Sequence, residues 1–204
     1  MKLRIACLAF CAFVAMASSA SARMEGCTKD QETTIKTAIA DAKRLVTTAA
    51  ANVGENEIFE RWFGKYSPAS GEIVRANLKS IASGLRTGAV TARCARVSPQ
   101  DCEVGTYAYV YGDEAYHINI CPAFFRQPLM SILRPGTERS DNGSKAGTIV
   151  HEISHFAVVA STEDHCYSRS LCQDMAERSP ARALENADSY QYYVEDVTHF
   201  ADQE

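Results

Sequence analysis

Residues 147–156 read GTIVHEISHF. Ile149, Ile153 and Phe156 recur at helical spacing, so the sequence predicts a helix over 145–160 with those side chains in the core. His151 and His155 stand four apart and share one face of it. Their ring nitrogens can reach a single ion at about 2.0–2.1 Å. Glu152 lies about 100° round the axis from His151, where it reaches a water beside the ion rather than the ion itself. A carboxylate so placed serves as a general base. The HExxH spacing thus separates chemistry from packing on two turns of one helix, and zinc is the ion that this donor set takes.

Two ligands make a weak site, and the sequence offers several candidates for a third. An extended motif with glycine and histidine after the second ligand is excluded, because Val158 and Ser161 occupy those positions. A glutamate from a later helix would be Glu185. Nearer at hand, residues 161–165 read STEDH, which brings Glu163, Asp164 and His165 back after a turn. His165 reads better as a neighbour of the site than as a ligand, since one turn of loop rarely gives two adjacent ligands. The residues alone leave this choice open.

The chain of 204 residues has the length of one domain, and its 46% hydrophobic content is enough for a core. A formal charge of −4 gives no basic footprint for nucleic acid. The start, MKLRIACLAFCAFVAMASSASAR, has a positive end in Lys2 and Arg4, an apolar run from Ile5 to Met16, and small residues Ala20-Ser21-Ala22. It reads as a signal peptide over 1–22, cut before Arg23. The run is too short to span a bilayer, and no later stretch is long and apolar enough, so no membrane partner is expected after cleavage. The destination is extracellular, or periplasmic in a bacterium. Taking Lys2 and Arg4 from the 21 basic residues leaves 19 against 25 acidic ones, a net −6. Six cysteines remain, Cys27, Cys94, Cys102, Cys121, Cys166 and Cys172, and an even number in an exported chain argues for three disulfides. No CxxC pair suggests a cysteine-bound zinc.

Residues 30–53 predict a long helix with Ile35, Ala38, Ile39, Ala42 and Leu45 as its apolar stripe. NEIFERWFG (56–64) predicts a short one, and 70–88 another, capped by Ser70 and stopped by Gly88. Residues 106–121 read as a β-hairpin around Gly112-Asp113-Glu114, with Tyr116, Ile118 and Ile120 facing opposite to His117, Asn119 and Cys121, and one face buried. A turn at Asp141-Asn142-Gly143-Ser144 precedes the histidine helix. Residues 161–178 read as a polar connection, and 179–200 as one long helix with Pro180 at its first position. Strands and helices do not alternate. The expected class is therefore α+β, mostly helical, in one domain over 23–204, with a helical part to about 100 and the hairpin and site from about 101.

GTIVHEISHF, then STED, Cys166-Tyr167 and NADSYQYY, with AYVYGDEAYHINICPAFF before them, resemble the aspzincin metalloendopeptidases, which comprise deuterolysin and the peptidyl-Lys metalloendopeptidases. The resemblance covers about residues 27–200 and is strongest over 106–196. It implies a zincin-like fold whose hairpin lines the cleft and pairs with an extended peptide. It implies His151, His155 and Asp164 as ligands of one Zn²⁺, Glu152 as the base and Tyr167 as the stabiliser of the oxyanion. It also implies the disulfides Cys27–Cys94 and Cys102–Cys121, which leaves Cys166–Cys172 beside the site. In the lysine-specific branch, an acidic residue at the position of Asp188 and a second three residues on line the pocket for the side chain after the cut; here the second place holds Gln191. Serine stands at 161 where the family has glycine, and no long prosegment lies between the signal and Cys27, so the resemblance gives no account of latency.

The expected activity is a secreted zinc endopeptidase, monomeric, acting on polypeptides with lysine and then arginine after the cut. A broader deuterolysin-like specificity is the alternative. A non-catalytic peptide binder on the same scaffold would need neither Glu152 nor Tyr167. His117 and His199 read as packing or surface residues, and Asn142-Gly143-Ser144 is a glycosylation sequon if the source is a eukaryote.

Overall fold

The structure, a computed structural model, describes residues 22–86 and 90–201. All of the signal-peptide reading but Ala22, and the helix stop at Gly88, lie outside the described residues. The first strand, β1 (Arg23–Glu25), leads into helix α1 (Lys29–Ala51). Thr28 begins that helix with a reciprocal cap: its hydroxyl accepts from Gln31 N, and Gln31 Oε1 accepts from Thr28 N. The buried stripe is the expected one, extended by Val46 and Ala49. Asn56 caps α2 (Glu57–Phe63) through the Phe59 N–H. Helix α3 (Pro68–Arg86) begins two residues before the expected cap. Proline suits a first helical position, and Ser67 rather than Ser70 provides the hydroxyl, accepting from Ser70 N at 3.1 Å.

Strands β2 (Thr91–Cys94), β3 (Ala108–Tyr109) and β4 (His117–Ile120) complete a four-stranded sheet in the order β1-β2-β4-β3. β1, β2 and β4 run parallel, whereas β3 is antiparallel to β4, with Ala108 opposite Ile120. The hairpin is present with a wide loop between its strands. The expected single buried face is not: Asn119 is buried along with Ile118 and Ile120. Arg93 makes this tolerable by donating from Nε to Asn119 Oδ1 at 2.7 Å. β3 is one of the two edge strands, and Ala108 and Tyr109 on it line the cleft described below.

Helix α4 (Lys145–His155) stops well short of residue 160. Phe156 leaves the helical conformation, Ala157 N donates to Gly112 O, and Thr162 N returns to Ser154 O. Helix α5 (Arg169–Arg178) forms where a polar connection was expected; it buries only Arg169, Cys172 and Ala176, too little for an apolar period. The expected helix over 179–200 is two, α6 (Pro180–Leu184) and α7 (Ala187–Ala201), broken at Glu185 and Asn186.

Helix α1 packs against α3, α4 and α7. α2 adds an aromatic layer to α7: Trp62 meets Tyr192 at 5.0 Å and Phe63 meets Tyr190 at 5.1 Å between ring centroids. Disulfides join Cys27 to Cys94, Cys102 to Cys121 and Cys166 to Cys172. The first two staple the start of α1 to β2 and the loop before β3 to the end of β4.

Candidate metal centre and active site

Helix α4 is fixed at both ends. At its start Ser144 Oγ accepts from Gly147 N at 3.0 Å, and Ser144 itself donates from N and Oγ to Glu195 Oε1, both at 2.7 Å. Glu195 is held by Arg169 Nη2, and Arg169 Nη1 binds Asp196, which also accepts from Trp62 Nε1. This network is fully buried and ties α4, α5 and α2 to α7. Beneath α4, Ile149, Val150, Ile153 and Phe156 sit in the core.

His151 and His155 therefore point together into the cleft, with Nε2 atoms 3.0 Å apart. Asp164 Oδ1 lies 3.3 Å from the first and 3.4 Å from the second. Ligand atoms at about 2.0–2.1 Å round a tetrahedral zinc stand about 3.3 Å from one another, so the triangle has the size of such a site. Each ring also has its other nitrogen committed. His151 Nδ1 donates to Asp188 Oδ1 at 2.7 Å, and His155 Nδ1 donates to the Thr162 carbonyl at 2.8 Å. A neutral imidazole with a proton on Nδ1 presents a lone pair at Nε2, which is what a cation needs. Two such lone pairs and a carboxylate oxygen facing one another fit a metal ion. Among the described residues this is the one group of three or more such side chains with metal-binding geometry.

The electrostatics agree. Burial by itself would lower the pKa of His151, but the carboxylates of Asp164 and Asp188 raise it well above the usual value. Burial would raise the Asp164 carboxyl, and the two imidazoles hold it far below the ordinary range instead. Glu152, almost wholly buried, lines the cleft next to them, and burial pushes its pKa up. Tyr167 is 59% exposed and hydrogen-bonds to Asp164; desolvation first, then the Asp164 charge, keeps its phenol protonated.

The other candidates for a third ligand lie elsewhere. Glu185 points to solvent with its side chain 71% exposed, and His165 faces Arg182, with Nδ1 at 3.2 Å from Nη2. His117 sits on β4 near Glu25.

Asp188 occupies the second position of α7. Besides His151, it accepts from Ser168 N and from the Tyr192 hydroxyl, both at 3.1 Å on Oδ2. Gln191 lines the same cleft and lies over Gly143 and Gly147; a Cβ at Gly143 would stand 2.0 Å from its Nε2. The cleft has a volume of about 490 Å³ and is walled on its far side by Val104 to Val110, including the free edge of β3. Sequence reasoning missed Thr162, Glu195 and Asn186. Thr162 and Glu195 act through a carbonyl and a helix cap, which leave no motif.

The family model for aspzincins, described as lysine-specific metallo-endopeptidase, matches residues 48–195. An extracellular protease of Aeromonas hydrophila is 31% identical over 186 residues, 89% of this chain and 49% of that protein. A peptidyl-Lys metalloendopeptidase of Armillaria mellea is 27% identical over 177 residues, 83% of this chain and 45% of that one. The chain thus spans about half the length of both relatives. It covers 94% of the peptidyl-Lys metalloendopeptidase of Pleurotus ostreatus, at 28% identity. The solved structure of a zinc peptidase from Grifola frondosa shares the fold, with a TM-score of 0.71 at 24% identity over 83% of this chain and 97% of that one. With most of its length matched by the family model, the chain belongs to the aspzincin family.

Proposed function

We propose that the protein is an exported zinc endopeptidase that cuts polypeptides before lysine. The observation that carries this reading is the triangle of His151, His155 and Asp164 with Glu152 beside it, in a cleft bordered by an open strand edge. In this reading those three residues hold one Zn²⁺, which supplies Lewis acidity: it makes water a stronger acid and polarises a carbonyl. A substrate chain pairs with the free side of β3 in an extended conformation. Glu152 takes a proton from the attacking water as its oxygen bonds to the carbonyl carbon. When the C–N bond breaks, the same carboxyl gives that proton to the leaving nitrogen. A pKa raised by burial suits a group that does both. Tyr167, protonated and on the cleft wall, donates to the oxygen that becomes negative.

Lysine selection rests on Asp188. Its carboxylate is buried in the cleft, and a negative charge there attracts an ammonium group. Asp188 already accepts three hydrogen bonds, and the neutral Gln191 adds no second charge. That supports a preference for lysine over arginine and neutral residues rather than strict exclusion, and it favours the broader deuterolysin-like specificity as the second reading. Three disulfides and the name of the Aeromonas hydrophila relative support export. The test is metal analysis of the purified protein together with mass spectrometry of the peptides it cuts from an unfolded protein. One zinc per chain and new amino termini rich in lysine are expected. Cleavage unaffected by a chelator would overturn the proposal.

A further inference from the structure

Asp164 and Tyr167 are both partly open to solvent, so their own packing cannot fix them. They lie on a connection, 162–168, without regular helix or strand. Something else must hold this loop against His151 and His155.

Asn186 sits behind it, with no exposed surface. Its Oδ1 accepts from two successive backbone groups of the loop, His165 N at 2.8 Å and Cys166 N at 3.1 Å. Its Nδ2 donates to Ser189 Oγ at 3.3 Å and approaches Cys172 Sγ, half of the Cys166–Cys172 disulfide, at 3.7 Å. On the other side of Asp164, Glu163 N donates to Glu185 O at 2.7 Å and Glu163 O accepts from Ala187 N at 3.0 Å. These two bonds take backbone groups that a continuous helix through Asn186 would have used internally. Asp164 is thus gripped through its own neighbours, from the backbone of 185 and 187 before it and from the Asn186 side chain after it.

We infer that Asn186 is the positioning residue that sets Asp164 and Tyr167 against the two histidines. It touches neither substrate nor metal. The inference rests on the metal-site reading above. Asparagine suits the post because one end accepts two N–H groups while the other donates to the disulfide sulfur and a hydroxyl.

The test measures zinc affinity by competition with a chromogenic chelator, together with the thermal midpoint of the metal-free protein. Asn186→Ala removes the acceptor and should weaken zinc about 10–100-fold, the usual loss when a partner behind a metal ligand is removed. Asn186→Asp keeps the Oδ1 acceptor for His165 N and Cys166 N and loses the Nδ2 donor, so it should bind zinc more tightly than the alanine variant. Ser189→Ala, which removes only a partner of Nδ2, should bind zinc close to wild type. A residue with a merely structural role would lower the metal-free midpoint and leave affinity alone. Wild-type zinc affinity in Asn186→Ala overturns the inference, as does a loss in Asn186→Asp as deep as that of the alanine variant. Should Asn186→Ala not fold, Asn186→Asp decides alone, since tight zinc supports the inference and weak zinc overturns it. A wild-type protein that binds no zinc overturns the metal-site reading itself, which separates the two failures.

Discussion

Asp188→Asn tests two roles with one substitution. The side chain keeps its shape and one acceptor oxygen but loses its charge. The first effect is on His151. Its Nδ1 proton now goes to a neutral amide instead of the carboxylate that holds it at 2.7 Å. Weakening a partner of this kind costs about 10–100-fold in metal affinity or activity. The second effect is on the substrate. An ion pair lost from a desolvated pocket costs about 2–5 kcal/mol. Asp188 already accepts three hydrogen bonds and has no second carboxylate beside it, so the lower end applies, about 2 kcal/mol or roughly 30-fold. The assay compares kcat/KM on two peptides that differ only in lysine or leucine after the cut, together with zinc affinity. The leucine peptide should fall about 10–100-fold with zinc affinity, and the lysine peptide roughly 30-fold further. Unchanged zinc affinity and leucine turnover would remove Asp188 from behind His151. An unchanged lysine-to-leucine ratio would remove it from selection.

Glu152→Gln should keep zinc content and circular dichroism while turnover drops at least about 100-fold, the scale of a lost general base; near-normal proteolysis would show that another group moves the proton. Asp164→Ala should empty the site of zinc on dialysis, whereas His165→Ala, which faces Arg182, should retain it; the opposite result would transfer the ligand role. Gly147→Ala places a methyl 2.1 Å from Glu195 Oε1 and 2.9 Å from Gln191 Cγ, so the α4 cap must shift. A loss of about 1–3 kcal/mol in denaturant melts is expected, and a neutral result would mean that α4 and α7 part easily.

Much of this arrangement can be read from the residues because its signals are local. Ile35, Ala38, Ile39, Ala42 and Leu45 recur at the helical period, and they lie buried on α1. His151, Glu152 and His155 form a spacing whose chemistry follows from one turn of helix. What could not be read was set by distant partners. ALENADSY contains neither glycine nor proline, and helix propensity alone runs straight through it. The break at Asn186 is decided by Glu163 taking the backbone groups of Glu185 and Ala187. Likewise α4 ends where Gly112, far away in sequence, accepts from Ala157 N. Helix α5 hides its anchor in a charged residue: Arg169 is buried only because Glu195 and Asp196 await it. Asp188 shows the limit of motif transfer, since the pattern marks the position and only the fold shows its bond to His151.

The open edge of β3 has a consequence for the chain's own survival under the proposed activity. A chain must be extended to pair with that edge, and a lysine inside a helix cannot be presented in this way. Lys29, Lys36 and Lys43 lie in α1, Lys79 in α3, and Lys145 in α4, where its ammonium is buried on the Gln127 carbonyl. Among the described residues that leaves Lys65, exposed in the turn between α2 and α3. Under the proposed cleavage before lysine, all but one of the bonds open to self-cleavage among the described residues lie in helices. Autolysis should begin at the Gly64–Lys65 bond, and an aged preparation should yield a fragment whose amino terminus is Lys65.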